Sequence, residues 1–299
     1  MAKGGKGGGG LLLVIVVIGV IAYAAHSQHG SKPPPAGAAT GGGTGKYVAL
    51  GDSYTAAPGT GESAGGPKGC GRTVVNYPHL VAAHIHPASF VDASCSGATI
   101  ADMTESQQVN GGENAPQLDS VDQQTTLVTL EIGGNDVGFL RLAQQCPTAH
   151  RDASPCKDME TAGGTDRLAA KADEVGRAIG PVLDEIRGKA AQAKVLVVGY
   201  PSVLPTTGDG CWPVLPYGSG DVAYLRDVLT RLNDTLSAAA SAHHAGFVDV
   251  AGPSAGHDMC SPSNTRWVEG LVPASPGVPL HPNARGERGM ADAVLAVLK

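Results

Sequence analysis

Along most of the chain, short apolar runs bounded by turn residues alternate with stretches whose apolar residues recur every three or four positions. The runs lie at 47–50, 90–93, 127–132, 195–200 and 247–250. Over 221–242 the apolar positions are Val222, Leu225, Leu229, Leu232 and Leu236, the spacing of one helix face, with Asp221 placed to cap it. Over 165–189 they are Leu168, Ala172, Val175, Ile179, Val182 and Ile186, with Thr165 as cap and a kink expected at Gly180-Pro181. Strands this uniformly apolar are buried on both faces, which only helices on each side can arrange. The pattern predicts an α/β chain, a three-layer α/β/α sandwich around a central parallel sheet of about five strands. Such sheets place their chemistry beyond the carboxyl ends of the strands.

The rest of the composition narrows the options. Of 299 residues, 43 are Gly and 21 Pro, which excludes a coiled coil. The 254 residues of 46–299 suffice for one large domain. This part carries 18 basic and 27 acidic side chains, a net charge of −9 with no basic run, so nucleic acid is not an expected partner. At the N-terminus, Lys3 and Lys6 precede an uncharged stretch at 11–25 that closes on Ala22-Tyr23-Ala24. A positive start, a short apolar segment and a small-x-small site describe a signal peptide over 1–25; uncleaved, residues 11–25 would serve as an N-terminal anchor and membrane tether. A Gly/Pro/Ser-rich linker follows over 26–45. The expected location is secreted or cell-surface anchored.

Six cysteines in an exported chain, Cys70, Cys95, Cys146, Cys156, Cys211 and Cys260, imply three disulfides with 15 possible connectivities. Their spacing does not suit a metal, since the nearest pair is ten residues apart. Two motifs are set aside. The stretch at 40–47 lacks the leading Gly and the trailing Ser or Thr of a phosphate loop. Gly252-Pro253-Ser254-Ala255-Gly256 matches a nucleophile elbow but is followed by no helix pattern, so Ser254 is read as part of a tight turn.

Three successive strands each end in a group suited to acyl chemistry. The first ends in Gly51-Asp52-Ser53-Tyr54, offering a serine hydroxyl that a base can activate. The second leads into Ser94-Cys95-Ser96-Gly97, where Gly97 presents an unobstructed N–H. The third ends in Gly133-Gly134-Asn135-Asp136, where the Asn135 amide can donate to a developing oxyanion. Among the ten histidines, His79, His84 and His86 do not share a helix face, and His243 and His244 end a helix. His281 lies in a loop pinned by Pro279 and Pro282, just before a final helix at 288–298, and is the candidate base.

GDSY at Ser53, SGAT at Gly97, GGND at Asn135 and HPN at His281, in that order, resemble the SGNH (GDSL-type) hydrolase family, and its secreted actinobacterial lipase and esterase subgroup in particular. The resemblance implies a flavodoxin-like fold, Ser53 as nucleophile, His281 as general base, and an oxyanion hole formed by the Ser53 N–H, the Gly97 N–H and the Asn135 side chain. It also implies sequential disulfides, Cys70–Cys95, Cys146–Cys156 and Cys211–Cys260. The family often carries Asp three residues before the histidine, where this chain has Val278. The acceptor that orients His281 is then a backbone carbonyl at or near Val278, giving a Ser-His dyad, or else the Asp258 carboxylate. Without a carboxylate, a rate optimum on the alkaline side is expected.

The expected reaction is hydrolysis of a small-molecule or lipid ester by a monomer through an acyl-enzyme, with no cofactor. Apolar loops at 201–220 and 261–280 offer Trp212, Leu215 and Tyr217 as candidate pocket residues. Alternatives are a carbohydrate-acetyl esterase or a phospholipase on the same site, or a non-catalytic surface binding protein on this fold. With twelve aromatic residues in the chain, few are left to stack on sugars, which favours simple or lipid esters.

Overall fold

The computed structural model describes residues 45–299. The leader at 1–25 and the linker at 26–45, its last residue apart, lie outside the described residues. The strands are β1 (Lys46–Gly51), β2 (Ser89–Asp92), β3 (Gln107–Val109), β4 (Gly112–Asn114), β5 (Thr125–Glu131), β6 (Lys194–Val198) and β7 (Gly246–Val248). Five of them pair in parallel in the order β2-β1-β5-β6-β7, and β3 and β4 form a separate antiparallel hairpin. The helices are α1 (Ser53–Ala56), α2 (Tyr77–Ile85), α3 (Gly134–Val137), α4 (Phe139–Gln145), α5 (Pro155–Thr161), α6 (Arg167–Lys189), α7 (Ser219–Ala242) and α8 (Ala284–Leu298).

The two-residue period of a strand sorts each run between two cores. Tyr47, Ala49, Leu196, Val198 and Val248 face α2 and α8, meeting Tyr77, Val81, Met290 and Val294. Val48, Leu50, Val128, Leu130, Val195 and Val197 face the other way, into the apolar stripes of α6 and α7. Those stripes are the ones that the spacing predicts: Val175 and Ile179 of α6, and Leu225, Leu232 and Leu236 of α7, are all buried. Truncating a side chain such as Leu232 to Ala would cost about 2–5 kcal/mol.

Element ends differ from the sequence expectations for identifiable reasons. Asp166, not Thr165, caps α6 by accepting from Ala169 N at 3.0 Å, and the helix runs through Gly180-Pro181 as one element. Helix α7 begins two residues before Asp221, whose buried carboxylate instead accepts from the backbone of Cys156 (3.2 Å) and Lys157 (2.9 Å) at the start of α5. Helix α8 starts at Ala284 rather than 288, because Asn283 caps it through Arg285 N (2.9 Å) and Gly286 N (3.1 Å). The β3–β4 hairpin is short and polar, without an alternation that would mark it in sequence.

β1 has β2 on one flank and β5 on the other, so the winding of the chain reverses between β1 and β5. In open α/β sheets the crevice beyond such a reversal is where ligands bind. Asp52-Ser53 leaves β1 and Ile132–Asn135 leaves β5 at that edge.

Candidate active site

The turn after β1 depends on Gly51. At φ +153° it occupies backbone space that L side chains rarely adopt, and a Cβ there would lie 2.3 Å from Thr55 Oγ1 and 2.6 Å from the Glu131 carbonyl. Gln117 brackets the same residue, accepting from Gly51 N at 2.7 Å and donating to Gly51 O at 2.9 Å. The chain then turns sharply, Asp52 caps α1 by accepting from Tyr54 N at 2.9 Å, and Ser53 becomes the first residue of that helix. Ser53 is buried, at 6% exposure.

His281 Nε2 lies 2.7 Å from Ser53 Oγ, although 228 residues separate them in sequence. His281 Nδ1 lies 2.8 Å from the carbonyl of Pro279. A carbonyl only accepts, so the proton sits on Nδ1, and Nε2 presents its lone pair to the serine hydroxyl. The acceptor is thus one residue on from Val278. Leu280 adopts a left-handed conformation (φ +64°), which folds the Pro279 carbonyl back under the ring. That turn is held by Tyr54 Oη donating to Leu280 O (2.7 Å), by Leu280 N donating to Glu269 O (3.1 Å) and Gly270 O (3.3 Å), and by Glu269 N donating to His281 O (2.9 Å). The Asp258 carboxylate is engaged elsewhere, accepting from Cys260 N at 2.8 Å. Burial lowers the His281 pKa below the usual imidazole value, and the Pro279 carbonyl only partly opposes this. The neutral base therefore persists to lower pH, which removes the ground for an alkaline shift of the rate optimum.

Gly97 and Asn135 belong to the two neighbouring turns. Gly97 (φ +80°) has open space on its α-carbon, with only Gln107 Nε2 nearby at 3.7 Å. Its loop is tied down by the Cys70–Cys95 disulfide and by Ser96 N donating to Cys70 O at 3.0 Å. Asn135 Nδ2 donates one hydrogen to Ala98 O at 2.9 Å, which aligns the amide and leaves its second hydrogen available. Among the described residues, neither the Ser53 nor the Gly97 N–H donates to another group. A polarised serine and free N–H donors on adjacent turns have the chemistry to attack a carbonyl and receive the charge that develops on its oxygen.

An apolar crevice opens at this point, lined by Ser53, Asn135, Phe139, Leu140, Leu229 and Leu232. Trp212, Leu215 and Tyr217 do not line it. Tyr217 and Leu215 are buried, and the Tyr217 hydroxyl donates to Ala143 O. Trp212 is 37% exposed, with Nε1 directed to Thr148 O at 3.4 Å. The loops around 213–216 and 270–274 face each other across a separate groove of about 370 Å³. Ser254 sits in a turn, accepting from Ser202 N (2.7 Å) and donating to Ala251 O (3.0 Å). The remaining disulfides are Cys146–Cys156, between α4 and α5, and Cys211–Cys260.

Three groups at the site, Asp52, Tyr54 and Tyr200, carry no role in the sequence reading. Tyr54, next to Ser53, places its ring 5.1 Å from that of His281. Tyr200, just past β6, donates from its hydroxyl to Asp52 Oδ2 at 2.6 Å and accepts from Gly134 N at 2.8 Å. Burial pushes the Asp52 carboxyl up to about 7 against the pull of the bonds it accepts from Tyr200 Oη and Tyr54 N. The signal available in sequence was a tyrosine at a carboxyl strand end, which aromatic packing explains equally well.

Residues 49–288 match the GDSL-like lipase/acylhydrolase family. The chain is 40% identical to Lipase 2 of Streptomyces coelicolor, covering 84% of this chain and 85% of that protein. It is 31% identical to Lipase 1 of the same organism, covering 81% and 82%. Among solved structures it resembles a phospholipase A1 from Streptomyces albidoflavus, with a TM-score of 0.72, 29% identity and coverage of 85% of this chain and 99% of that one. An extracellular lipase from Streptomyces rimosus is similar at a TM-score of 0.70 and 28% identity, covering 84% and 99%. With the five-stranded parallel sheet, the three disulfides and this match over most of its length, the chain belongs to the GDSL-like lipase/acylhydrolase family and is a carboxylic ester hydrolase.

Proposed function

We propose that this is an exported esterase or lipase that works through a Ser53–His281 dyad and an acyl-enzyme. The observation that carries the proposal is the pair of contacts on His281, Nε2 to Ser53 Oγ at 2.7 Å and Nδ1 to the Pro279 carbonyl at 2.8 Å. Ser53 Oγ attacks the ester carbonyl while His281 Nε2 takes its proton. The tetrahedral oxyanion is received by the Ser53 N–H, the Gly97 N–H and Asn135 Nδ2, all preset before substrate arrives. His281 returns the proton to the leaving alcohol, and water then releases the acid by the same route in reverse. The Pro279 carbonyl holds the tautomer and accepts from the imidazolium, the part that a carboxylate plays in a triad.

The apolar walls of the crevice favour an acyl chain on the acid side of the ester. The similarity to a phospholipase A1 and to lipases adds weight to lipid esters over acetylated sugars. Export is supported by three disulfides and by the leader at 1–25, and the similar lipase of S. rimosus is extracellular. Among the described residues no helix is long and apolar enough to cross a membrane, so a tether would rest on residues 11–25.

The test is turnover of p-nitrophenyl acetate, butyrate, octanoate and palmitate by the full chain, exported to an oxidising compartment, beside Ser53→Ala and Ser254→Ala. Ser53→Ala is expected to lose roughly 10⁴- to 10⁶-fold in kcat, and Ser254→Ala to keep most of it. Activity that survives Ser53→Ala but not Ser254→Ala would overturn the proposal.

A further inference from the structure

The turn that carries Ser53 and the turn that carries Asn135 are joined by one hydroxyl. Gly134 N donates to Tyr200 Oη at 2.8 Å, and Tyr200 Oη donates to Asp52 Oδ2 at 2.6 Å. Asp52 immediately precedes the serine and Gly134 immediately precedes the asparagine. The other Asp52 oxygen accepts from Tyr54 N at 2.9 Å, so both carboxyl oxygens are committed to the turn. Direction along this chain is set by chemistry. The peptide N–H can only donate, which leaves the phenol proton for the carboxyl group.

Tyr200 is itself clamped. Its N–H donates to Asn233 Oδ1 at 2.8 Å, and its carbonyl accepts from Asn233 Nδ2 at 2.9 Å, both from α7. Its ring meets Tyr54 edge-on at 5.2 Å, and Tyr54 in turn holds Leu280 O beside His281. A Cβ at position 134 would stand 3.1–3.2 Å from two ring carbons and the hydroxyl of Tyr200, so the glycine permits the close approach that the hydrogen bond needs. Tyr200 is 3% exposed and Asp52 1%, which places the chain of bonds away from competing water.

Resting on the Ser53 reading above, we infer that Tyr200 is a positioning residue: its hydroxyl fixes the distance between the nucleophile turn and the Asn135 oxyanion donor. The arrangement matters more to the tetrahedral intermediate than to the bound ester, because only the intermediate needs attacking oxygen and oxyanion donor in register at once. Misplacement on the order of 1 Å costs about a hundredfold in rate. Loss of the hydroxyl therefore belongs in kcat, with ground-state binding little affected.

Tyr200→Phe keeps the ring and removes the bond. With p-nitrophenyl butyrate and the full chain, it is expected to lower kcat about 10- to 100-fold while KM stays within about twofold. Asp52→Asn disturbs the same bond from the other end, since an amide has a single acceptor oxygen and cannot accept from both Tyr54 N and the phenol, and serves where Tyr200→Phe accumulates poorly. If both act through this one bond, the double variant loses no more than the worse single variant. Unchanged kcat in Tyr200→Phe, a loss confined to KM, or losses that multiply in the double variant would each overturn the inference. Ser53→Ala run alongside separates the two levels. Activity surviving it removes the Ser53 reading and the inference together, whereas an inactive Ser53→Ala beside an unimpaired Tyr200→Phe removes the inference alone.

Discussion

In the proposed dyad Pro279 acts through its carbonyl, an atom that every residue possesses, and this sets the electrostatics of His281. A neutral acceptor behind His281 raises its pKa only modestly, while burial at 4% exposure lowers it, and burial is the larger effect. The imidazole must be neutral to take the serine proton, so kcat/KM rises as pH climbs through the His281 pKa. With that pKa below 6.5, the acid limb of a pH profile of kcat/KM is expected to have its midpoint below pH 6.5. A midpoint above 6.5 would contradict it. Sequence could point to Ser53, Gly97, Asn135 and His281, because their four motifs, each weak alone, stand in an order that resembles a known hydrolase family. It could not choose between a carbonyl near Val278 and Asp258, since a backbone acceptor leaves no mark on residue type. The choice became visible only with the left-handed turn at Leu280.

The crevice at Ser53 is walled by α4 and α7, through Phe139 and Leu140 on one and Leu229 and Leu232 on the other. Leu140 is only partly buried, so enlarging it narrows the crevice without disturbing the core. Leu140→Trp is expected to reduce kcat/KM for p-nitrophenyl octanoate at least tenfold relative to acetate, since each excluded methylene forfeits about 0.8 kcal/mol of burial. Equal effects on both esters would place the acyl chain elsewhere. The helices behind these walls were readable, because a stripe repeating every three to four residues is a strong signal. Their caps were less so. Thr165 and Asp166 are both good caps, and only the geometry of the preceding turn selects Asp166. The loops at 201–220 and 261–280 were less legible for a related reason. Apolar residues in a loop show that it packs, but not against what, and Leu215 and Tyr217 are spent on the core.

For the molecule as a whole, three carboxyl groups lie sealed near the carboxyl ends of the central strands: Asp52, Glu131 and Glu287, each at most 1% exposed. Glu131 accepts from Thr55 Oγ1 at 3.2 Å and Glu287 from Tyr77 N at 2.7 Å, and the second oxygen of each has no partner among the described residues. Burial raises both well above the usual carboxylate range. The folded state thus holds protons that the unfolded chain releases above about pH 4.5, so the stability that these two groups contribute is greatest in acid and is lost as pH rises towards their folded pKa values. Thermal unfolding is expected at a lower temperature at pH 8 than at pH 5, and Glu131→Gln, which never ionises, is expected to narrow that gap. An unchanged gap in Glu131→Gln would exclude Glu131 as its source. At this scale the alternating runs made a parallel sheet legible, but not that β5 would insert beside β1, because strand order is settled by packing between distant segments. That order also gives the enzyme a timetable. The turns of Ser53 and Asn135 come from neighbouring strands, whereas His281, the base of the proposed dyad, arrives 228 residues after the serine. At about 5–20 residues per second, a ribosome makes the serine roughly 10–45 s before the histidine. Throughout that interval the emerging chain holds Ser53 without the imidazole that would activate it.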